Sequence, residues 1–275
     1  MPLHRVQQRR GPLSRARCAK HAKPPHLFDR WAEVAEGIRF APRVVLFLDF
    51  DGTLTPLRRR PEEVRPLGIA LRRLLHRLAR RRKLTLYVIS GRALADLRRL
   101  VPVRGLHLLG LHGWEGRTTR TFSRERGLLK KARQKLHQRL GGMQGVWIEN
   151  KGLGVAVHYR EASPKSVRMA HSIMKEVAKE FRPSLRMMRG KKIWELVPEA
   201  INGKGPAVEA LLTGASAGTL PVFVGDDTTD EAAFEALPGG LTIRVGKHAG
   251  TYAQYALRDP GEVKDFLERL EGELI

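Results

Sequence analysis

Five consecutive apolar residues, Val44-Val45-Leu46-Phe47-Leu48, run directly into Asp49-Phe50-Asp51-Gly52-Thr53. A continuous apolar run of this length is typical of a strand that is buried on both faces of a parallel sheet. Open α/β sheets bind their ligands outside the carboxyl ends of their strands, which is where the two aspartates stand. Because two carboxylates are costly to bury unpaired, we expect a cation beside them. The alternative is a polar turn or a helix cap.

The sequence around this segment alternates between helical and strand patterns. After the first strand we expect a helix at 67–82, a strand at 84–89, a short helix at 93–100 and a strand at 106–109. The alternation returns after residue 198, with a helix from about 205, strands at 222–224 and 241–245, and a helix at 262–270. Such alternation implies right-handed crossovers between parallel strands, and so an open, Rossmann-like α/β sheet.

Between these two halves the pattern changes. Helices are expected at 124–140 and 165–181, and each is followed by two strands, at 146–149 and 153–159 and then at 185–188 and 193–197. This αββαββ pattern predicts a four-stranded antiparallel sheet with both helices on one face. We therefore expect an α/β core at 40–115 and 198–275 and an inserted α+β cap at 116–197. An insert joined by two connections can hinge over a site.

The composition of the 275 residues excludes several classes of protein. A single cysteine, Cys18, excludes an internal disulfide and any thiolate-rich metal site. No stretch approaches the roughly 18–20 uncharged apolar residues that a membrane-spanning helix needs. We therefore expect a soluble protein without a membrane partner, and we expect it to be a cytoplasmic monomer.

The chain is strongly basic, with 51 lysines and arginines against 28 acidic residues and a formal net charge of +23. No acidic residue precedes Asp29, and residues 1–39 are predicted to form a disordered basic tail. A second basic run extends from Arg58 to Lys83. A non-catalytic basic protein that binds nucleic acid through phosphate contacts is therefore one alternative. Because no base-reading motif accompanies the charge, we expect no specific nucleic-acid partner.

A second acidic cluster, Gly225-Asp226-Asp227-Thr228-Thr229-Asp230-Glu231, follows the apolar strand at 222–224. Two strands far apart in the chain thus deliver aspartates at their carboxyl ends. Oxygen ligands without cysteine or a histidine cluster favour a hard cation, and Mg²⁺ suits a small site that keeps waters and a phosphate. Asp230 is expected only to cap the following helix.

Two further residues complete a set of groups for phosphoryl transfer. Ser90 ends the second buried strand, where a hydroxyl and helix-start amides can bind an anion. Lys204 stands between Gly203 and Gly205 at a predicted helix start. A lysine beside an acidic metal site would neutralise a transferring phosphoryl group. Aspartates, a hydroxyl, a lysine and a metal are the parts of a reaction that proceeds through an aspartyl-phosphate.

These motifs, in this order, resemble the haloacid dehalogenase-like phosphatase superfamily, whose Asp-x-Asp-Gly-Thr signature matches residues 49–53. The αββαββ insert is similar to the cap of its sugar-phosphatase branch. Finer motifs resemble the trehalose-6-phosphate phosphatase family. They are Ile89-Ser90-Gly91-Arg92, His112-Gly113-Trp114-Glu115, Glu149-Asn150-Lys151-Gly152, His158-Tyr159-Arg160, Trp194-Glu195-Leu196 and Val224-Gly225-Asp226-Asp227-Thr228-Thr229-Asp230-Glu231. The resemblance covers about residues 40–270.

The resemblance implies roles for the core residues. Asp49 would attack phosphorus, and Asp51 would protonate the leaving sugar oxygen and then deprotonate the hydrolytic water. Mg²⁺ would be held by the Asp49 carboxylate, the Asp51 main-chain carbonyl and Asp226. Asp227 would support this metal site or orient its ligands. Ser90 and Lys204 would bind the phosphoryl oxygens.

The resemblance also implies a set of substrate-binding residues. In the core these are Arg92, His112 and Glu115. In the cap they are Glu149, Lys151 and Arg160, with Glu195 and either Lys191 or Lys192. Charged side chains that bond sugar hydroxyls discriminate strongly between substrates. Leu111 departs from the family pattern, in which a smaller or polar residue precedes the histidine.

The resemblance implies a Mg²⁺-dependent phosphatase that converts trehalose 6-phosphate into trehalose and phosphate, with a small-molecule sugar phosphate as its partner. A related sugar phosphatase that acts on sucrose phosphate or on a mannosyl-phosphoglycerate is the nearest alternative. Fold-level analogy does not choose between these substrates.

Overall fold

The structure, a computed structural model, describes residues 20, 23–116, 123–201, 203–247 and 250–274. The apolar run at 44–48 forms β1 (Arg43–Leu48), an interior strand of a six-stranded sheet. The other strands of this sheet are β2 (Leu84–Ile89), β3 (His107–Leu109), β8 (Thr219–Gly225), β9 (Leu241–Val245) and β10 (Tyr255–Leu257). Their order is β10-β9-β8-β1-β2-β3, and every neighbouring pair is parallel.

Helices cover both faces of this sheet. They are α1 (Trp31–Phe40), α2 (Ile69–Ala79), α3 (Leu94–Leu100), α6 (Gly205–Leu212), α7 (Thr228–Glu235) and α8 (Pro260–Glu273). Leu46 of β1 belongs to the apolar cluster formed with α1, α2, α3 and α8. Phe47 belongs to the cluster on the opposite face, with α6 and α7. Alternate side chains of β1 are therefore buried on opposite faces, which explains its continuous apolar sequence.

The second sheet is antiparallel, and its strands lie between residues 147 and 198. It contains β4 (Trp147–Asn150), β5 (Val155–His158), β6 (Leu185–Gly190) and β7 (Ile193–Pro198), in the order β4-β5-β7-β6. The helices α4 (Ser123–Leu140) and α5 (Pro164–Glu180) pack on one face through apolar residues at helical spacing. The predicted fold class, a parallel α/β sheet with a separate α+β unit, is confirmed. The division into core and cap domains stays a prediction.

The prediction of a disordered tail over residues 1–39 is wrong for residues 27–39. Leu27–Arg30 form a short 3-10 helix that leads into α1. Val34, Ala35 and Ile38 share one buried face of α1, and the Trp31 ring meets Phe266 of α8 edge to face at 6.3 Å. The basic start of the chain hid this amphipathic stripe, which provides the burial that keeps the segment ordered. Residues 1–19 and 21–22 lie outside the described residues.

Strand β10 was not predicted, because its three residues are too short for a pattern of their own. Among the named strands it pairs with β9 alone and so stands last in the sheet order, and an isolated bridge joins its Ala256 to His26. Among the helices of the described residues, none combines the length and apolar character needed to cross a membrane.

Candidate active site

The two acidic segments meet because β1 and β8 are neighbouring parallel strands. Leu48 pairs with Val224, and the amide of Asp49 donates to the Val224 carbonyl at 2.9 Å. Asp49 and Asp226 therefore leave the same edge of the sheet, and both are buried. Gly52 turns the chain at φ +92°, and a Cβ at this position would lie 2.3 Å from the Asp226 carboxyl group. Glycine thus permits the close approach of the two segments.

Three buried carboxylates form a cluster at this edge. Asp49, Asp226 and Asp230 each offer an oxygen, and these oxygens lie within 4.8 Å of one another. Oδ1 of Asp226 is buried and has no hydrogen-bond partner among the described residues, whereas Oδ2 accepts from Lys191 at 3.1 Å. Hard oxygen donors with a free buried lone pair fit a divalent cation such as Mg²⁺.

The raised pKa values of the buried carboxylates also favour a bound cation. Burial raises the pKa of Asp226 to about 6, with a further contribution from the charge of Asp230. Burial also raises the pKa of Asp49 well above its ordinary value, although the neighbouring Lys204 opposes the shift. A bound divalent ion would supply the positive charge that keeps both carboxylates ionised.

Lys204 links the nucleophile candidate to the third carboxylate of the cluster. Its buried ammonium contacts Asp49 Oδ1 and lies 2.6 Å from Asp230 Oδ1. Burial alone would lower the pKa of Lys204, but Asp230 and Asp49 outweigh burial and raise it. The lysine therefore carries a positive charge next to Asp49, as a phosphoryl-binding group must.

Asp230 has two functions in the structure, and the sequence predicted only one. Its Oδ2 accepts from the Asp227 amide at 2.8 Å in a capping box at the start of α7, as expected for a cap. Its Oδ1 holds Lys204, which was not predicted. Asp227 is the N-cap of α7, where its Oδ1 accepts from Thr228 at 2.7 Å, and it lies outside the carboxylate cluster.

Asp51 is held by an arginine. Arg92 donates to both carboxylate oxygens of Asp51, at 2.7 and 2.8 Å. The same guanidinium donates to Asp96 at 2.7 Å and to the Pro61 carbonyl at 3.3 Å. In the structure Arg92 therefore orients Asp51, and its predicted contact with substrate stays a prediction. Asp96 was missed, although its i,i+4 spacing from Arg92 was visible in the sequence.

Ser90 and His112 lie together beside the cluster. Ser90 follows β2, is buried, and its carbonyl accepts from the His112 amide at 2.9 Å. Leu111 and His112 both have left-handed backbones, with φ of +47° and +58°, a conformation uncommon outside glycine. Leu111 is buried against Leu153, in the turn between β4 and β5. His112 is thereby turned into the site, where its Nε2 lies 2.8 Å from Glu195.

The antiparallel sheet contributes a row of charged residues that faces the carboxylate cluster. Glu149 and Glu195 both pair with Ala156, so they lie on the same face. Lys151 donates to Glu195. Burial would raise the pKa of Glu195, but Lys151 and His112 hold it well below its ordinary value. Glu149 bonds His158 at 2.9 Å, and His158 was not among the predicted site residues.

One cavity of about 140 Å³ brings these groups together. Most of the predicted site residues line it, whether they come from the parallel or the antiparallel sheet. They are Asp49, Asp51, Ser90, Arg92, His112, Glu149, Lys151, Arg160, Lys191, Glu195, Lys204, Asp226 and Asp227. A site between a parallel sheet end and a second sheet is well suited to a small polar substrate.

The profile of the trehalose-phosphatase family matches residues 47–259, which is most of the chain. The chain belongs to the trehalose-phosphatase family. The resemblance stated from the motifs is thus confirmed, and members of this family are phosphatases that act on phosphoric monoesters.

Individual relatives agree with this assignment. A probable trehalose-phosphate phosphatase D of Arabidopsis thaliana is 30% identical over 92% of this chain and 72% of the relative. A trehalose-phosphate phosphatase of Mycobacterium ulcerans is 32% identical over 85% of this chain. The chain spans 63% of the length of that mycobacterial relative. The solved C-terminal domain of trehalose-6-phosphate phosphatase from C. albicans superposes with a TM-score of 0.78 at 25% identity, covering 90% of this chain and 99% of that chain.

Two of the residues predicted to bind substrate, Glu115 and Lys192, do not line the cavity. Glu115 is not among the described residues that line the cavity. A tight turn returns the chain from Gly110 to Glu115, whose Oε2 accepts from the Leu94 amide at 2.6 Å at the start of α3. Lys192 occupies the left-handed turn position between β6 and β7, at φ +66°. Of the two adjacent lysines, Lys191 is the one that reaches the cavity, and there it bonds Asp226.

Proposed function

We propose that the chain hydrolyses trehalose 6-phosphate to trehalose and inorganic phosphate through a phosphorylated Asp49. The observation that carries this proposal is the position of the Asp49 carboxylate at the end of β1. It is buried beside Lys204 and Asp226 and faces a cavity that Glu149, Lys151 and Glu195 close from the other side. Family membership supports the same reaction.

The chemistry divides between two aspartates of one loop. An oxygen of Asp49 attacks phosphorus, and the bond from phosphorus to the sugar oxygen breaks. Asp51 gives the departing oxygen its proton, and afterwards takes a proton from the water that cleaves the aspartyl-phosphate. Arg92 holds Asp51 through both oxygens, so the carboxyl group stays at one position for both proton transfers.

Ser90 and Lys204 are proposed to bind the phosphoryl oxygens. Lys204 is suited to this because Asp230, at 2.6 Å, holds its ammonium in place independently of Asp49. It therefore stays at the reacting group while Asp49 carries the phosphoryl group. A fixed positive charge that needs no reorganisation is the most effective electrostatic contribution to such a step.

Mg²⁺ is the proposed cofactor. The carboxylates of Asp49 and Asp226 and the main-chain carbonyl of Asp51 would hold it, and Oδ1 of Asp226 is a free buried donor for this purpose. When bound, the ion neutralises the charge of the phosphoryl oxygens and of the carboxylates. Asp227 would act only indirectly, by ordering the start of α7.

The sugar is proposed to bind the antiparallel sheet. Glu149, Lys151 and Glu195 form a charged surface opposite the carboxylate cluster, with His112 reaching across from the core. A disaccharide presents many hydroxyl groups, and fixed charged partners distinguish it from sugars that lack them. We also propose that the protein is a monomer and that it is located in the cytoplasm.

Phosphate release from a panel of sugar phosphates tests the proposal. Trehalose 6-phosphate should be hydrolysed in Mg²⁺ and not in excess chelator, and more efficiently than sucrose 6-phosphate or mannosyl-3-phosphoglycerate. Glu149→Ala and Lys151→Ala should lose this substrate while they keep hydrolysis of p-nitrophenyl phosphate, which lacks a sugar. A preference for another sugar phosphate would overturn the substrate, and full activity of Asp49→Asn would overturn the reaction.

A further inference from the structure

Three consecutive arginines, Arg58, Arg59 and Arg60, form part of the cavity wall. We call them the arginine collar. All three side chains are exposed, and none has an ion-pair partner among the residues that the structure describes. The proposed reaction assigns them no role.

The collar differs from the buried cations of the same cavity, which are already paired. Lys204 is shared by Asp49 and Asp230, and Arg92 is bound by Asp51 and Asp96. Lys151 pairs with Glu195, and Lys191, although exposed, pairs with Asp226. No ion pair among the described residues compensates the charge of the collar, and its three side chains are exposed to solvent.

Both ends of the loop that carries the collar are fixed beside the reacting groups. At one end, Gly52 donates its amide to the Thr55 carbonyl at 2.7 Å. At the other end, the Pro61 carbonyl accepts from both terminal nitrogens of Arg92 at 3.3 Å, and Arg92 in turn holds Asp51. The buried Val64 anchors the following turn. The loop therefore keeps the three guanidinium groups next to the cavity.

Taking the proposed phosphatase reaction as given, we propose that the arginine collar binds the phosphate dianion of substrate and product at the mouth of the cavity. Guanidinium groups match phosphate oxygens geometrically and are always charged. A cluster of uncompensated positive charge raises the local concentration of an anionic ligand and its rate of capture. No hydrogen bond or ion pair among the described residues joins the collar to Asp49, Asp51 or Lys204, so the collar is assigned to capture and release rather than to the chemical step.

The sequence offers a matched control for this proposal. Arg80-Arg81-Arg82 is a second exposed triple arginine, and it is not among the described residues that line the cavity. The collar variant is Arg58→Gln/Arg59→Gln/Arg60→Gln, and the control is Arg80→Gln/Arg81→Gln/Arg82→Gln. Both variants lose three positive charges, so any effect of overall charge is the same in each.

The first measurement is binding of inorganic phosphate and of trehalose to the Mg²⁺-loaded protein by titration calorimetry. The collar variant should bind phosphate about tenfold more weakly at low salt, while trehalose, which is neutral, binds as before. The control variant should match the wild type for both ligands. Equal weakening in both variants, equal loss of trehalose and phosphate, or unchanged phosphate binding in the collar variant would each overturn the proposal.

The second measurement is kcat/KM at increasing salt. The collar variant should lose about tenfold in kcat/KM at low ionic strength with kcat unchanged, and the difference should disappear near about 0.5 M salt, where exposed charges are screened. A fall in kcat would contradict a role in capture. The same rates are measured with p-nitrophenyl phosphate. If the wild type hydrolyses this ester but not trehalose 6-phosphate, the proposed substrate is wrong, and the effect of the collar is still measured on p-nitrophenyl phosphate.

Discussion

Replacing Gly52 by alanine tests the packing that brings the two acidic segments together. The φ of +92° costs an alanine about 1–2 kcal/mol relative to glycine. The new Cβ would also lie 2.3 Å from Cγ and Oδ2 of Asp226, so the carboxyl group would have to retreat by about 1 Å to reach ordinary contact. A shift of this size at a reacting centre costs on the order of 10²-fold in rate.

The expected result for Gly52→Ala is a folded protein with phosphatase activity about 10²-fold lower and weaker apparent Mg²⁺ affinity. Phosphate release over a Mg²⁺ titration measures both quantities, and urea denaturation measures the free energy of unfolding. Gly37→Ala is the control, because its new methyl group meets nothing within 4 Å in helix α1 and should stabilise the protein by up to about 1 kcal/mol. Wild-type activity and Mg²⁺ affinity in Gly52→Ala would show that the methyl group does not displace Asp226.

Three further predictions concern charge and burial. Asp230→Asn leaves Lys204 with one buried anionic partner, so it should lower both kcat and the free energy of unfolding in urea, the latter by about 3 kcal/mol. An unchanged kcat and unfolding free energy would show that Asp230 does not hold Lys204. Because the pKa of Asp226 is raised to about 6, its contribution to the stability of the metal-free protein should fall as the pH rises from about 4 to about 6. Added Mg²⁺ should therefore raise the melting temperature more above that range than below it, and the opposite trend would contradict the shift. Ile38→Ala should lower the free energy of unfolding in urea by about 2–4 kcal/mol, because Ile38 is fully buried in α1. An unchanged free energy would indicate that this segment is disordered.

Most of the fold could be predicted because its signals are local. The apolar runs at 84–89 and 241–245 coincide with β2 and β9 residue for residue. Helix α1 was missed because its buried stripe is short and follows a basic, acid-free segment. Its order depends on α8, at the other end of the chain, and no local pattern reports such a contact.

The residues of the site could also be predicted where their signals are local, but their pairing could not. The motifs identified the residues that leave β1 and β8, because strand ends in a parallel sheet must share an edge. They did not identify which carboxylate holds which cation. Arg92 pairs with Asp51, and Asp230 holds Lys204. These pairs depend on burial and on distances between segments far apart in the chain, which a sequence does not show.

Glu115 shows why a motif alone did not predict which residues line the cavity. It lies within a few residues of His112, and a sequence motif treats such neighbours as one unit. The tight turn between Gly110 and Glu115 sends their side chains to different partners, so that His112 bonds Glu195 and Glu115 bonds the start of α3.

The proposed reaction requires that the phosphoryl group be transferred to Asp49, and peptide mapping can identify the phosphorylated residue. Asp51→Asn should still be phosphorylated by p-nitrophenyl phosphate, whose leaving group needs no proton, but it lacks the base that activates water. After acid quenching, mass spectrometry of peptides should therefore find one phosphoryl group on Asp49. A phosphoryl group on another residue, or none while the wild type turns over this ester, would show that Asp49 is not the nucleophile.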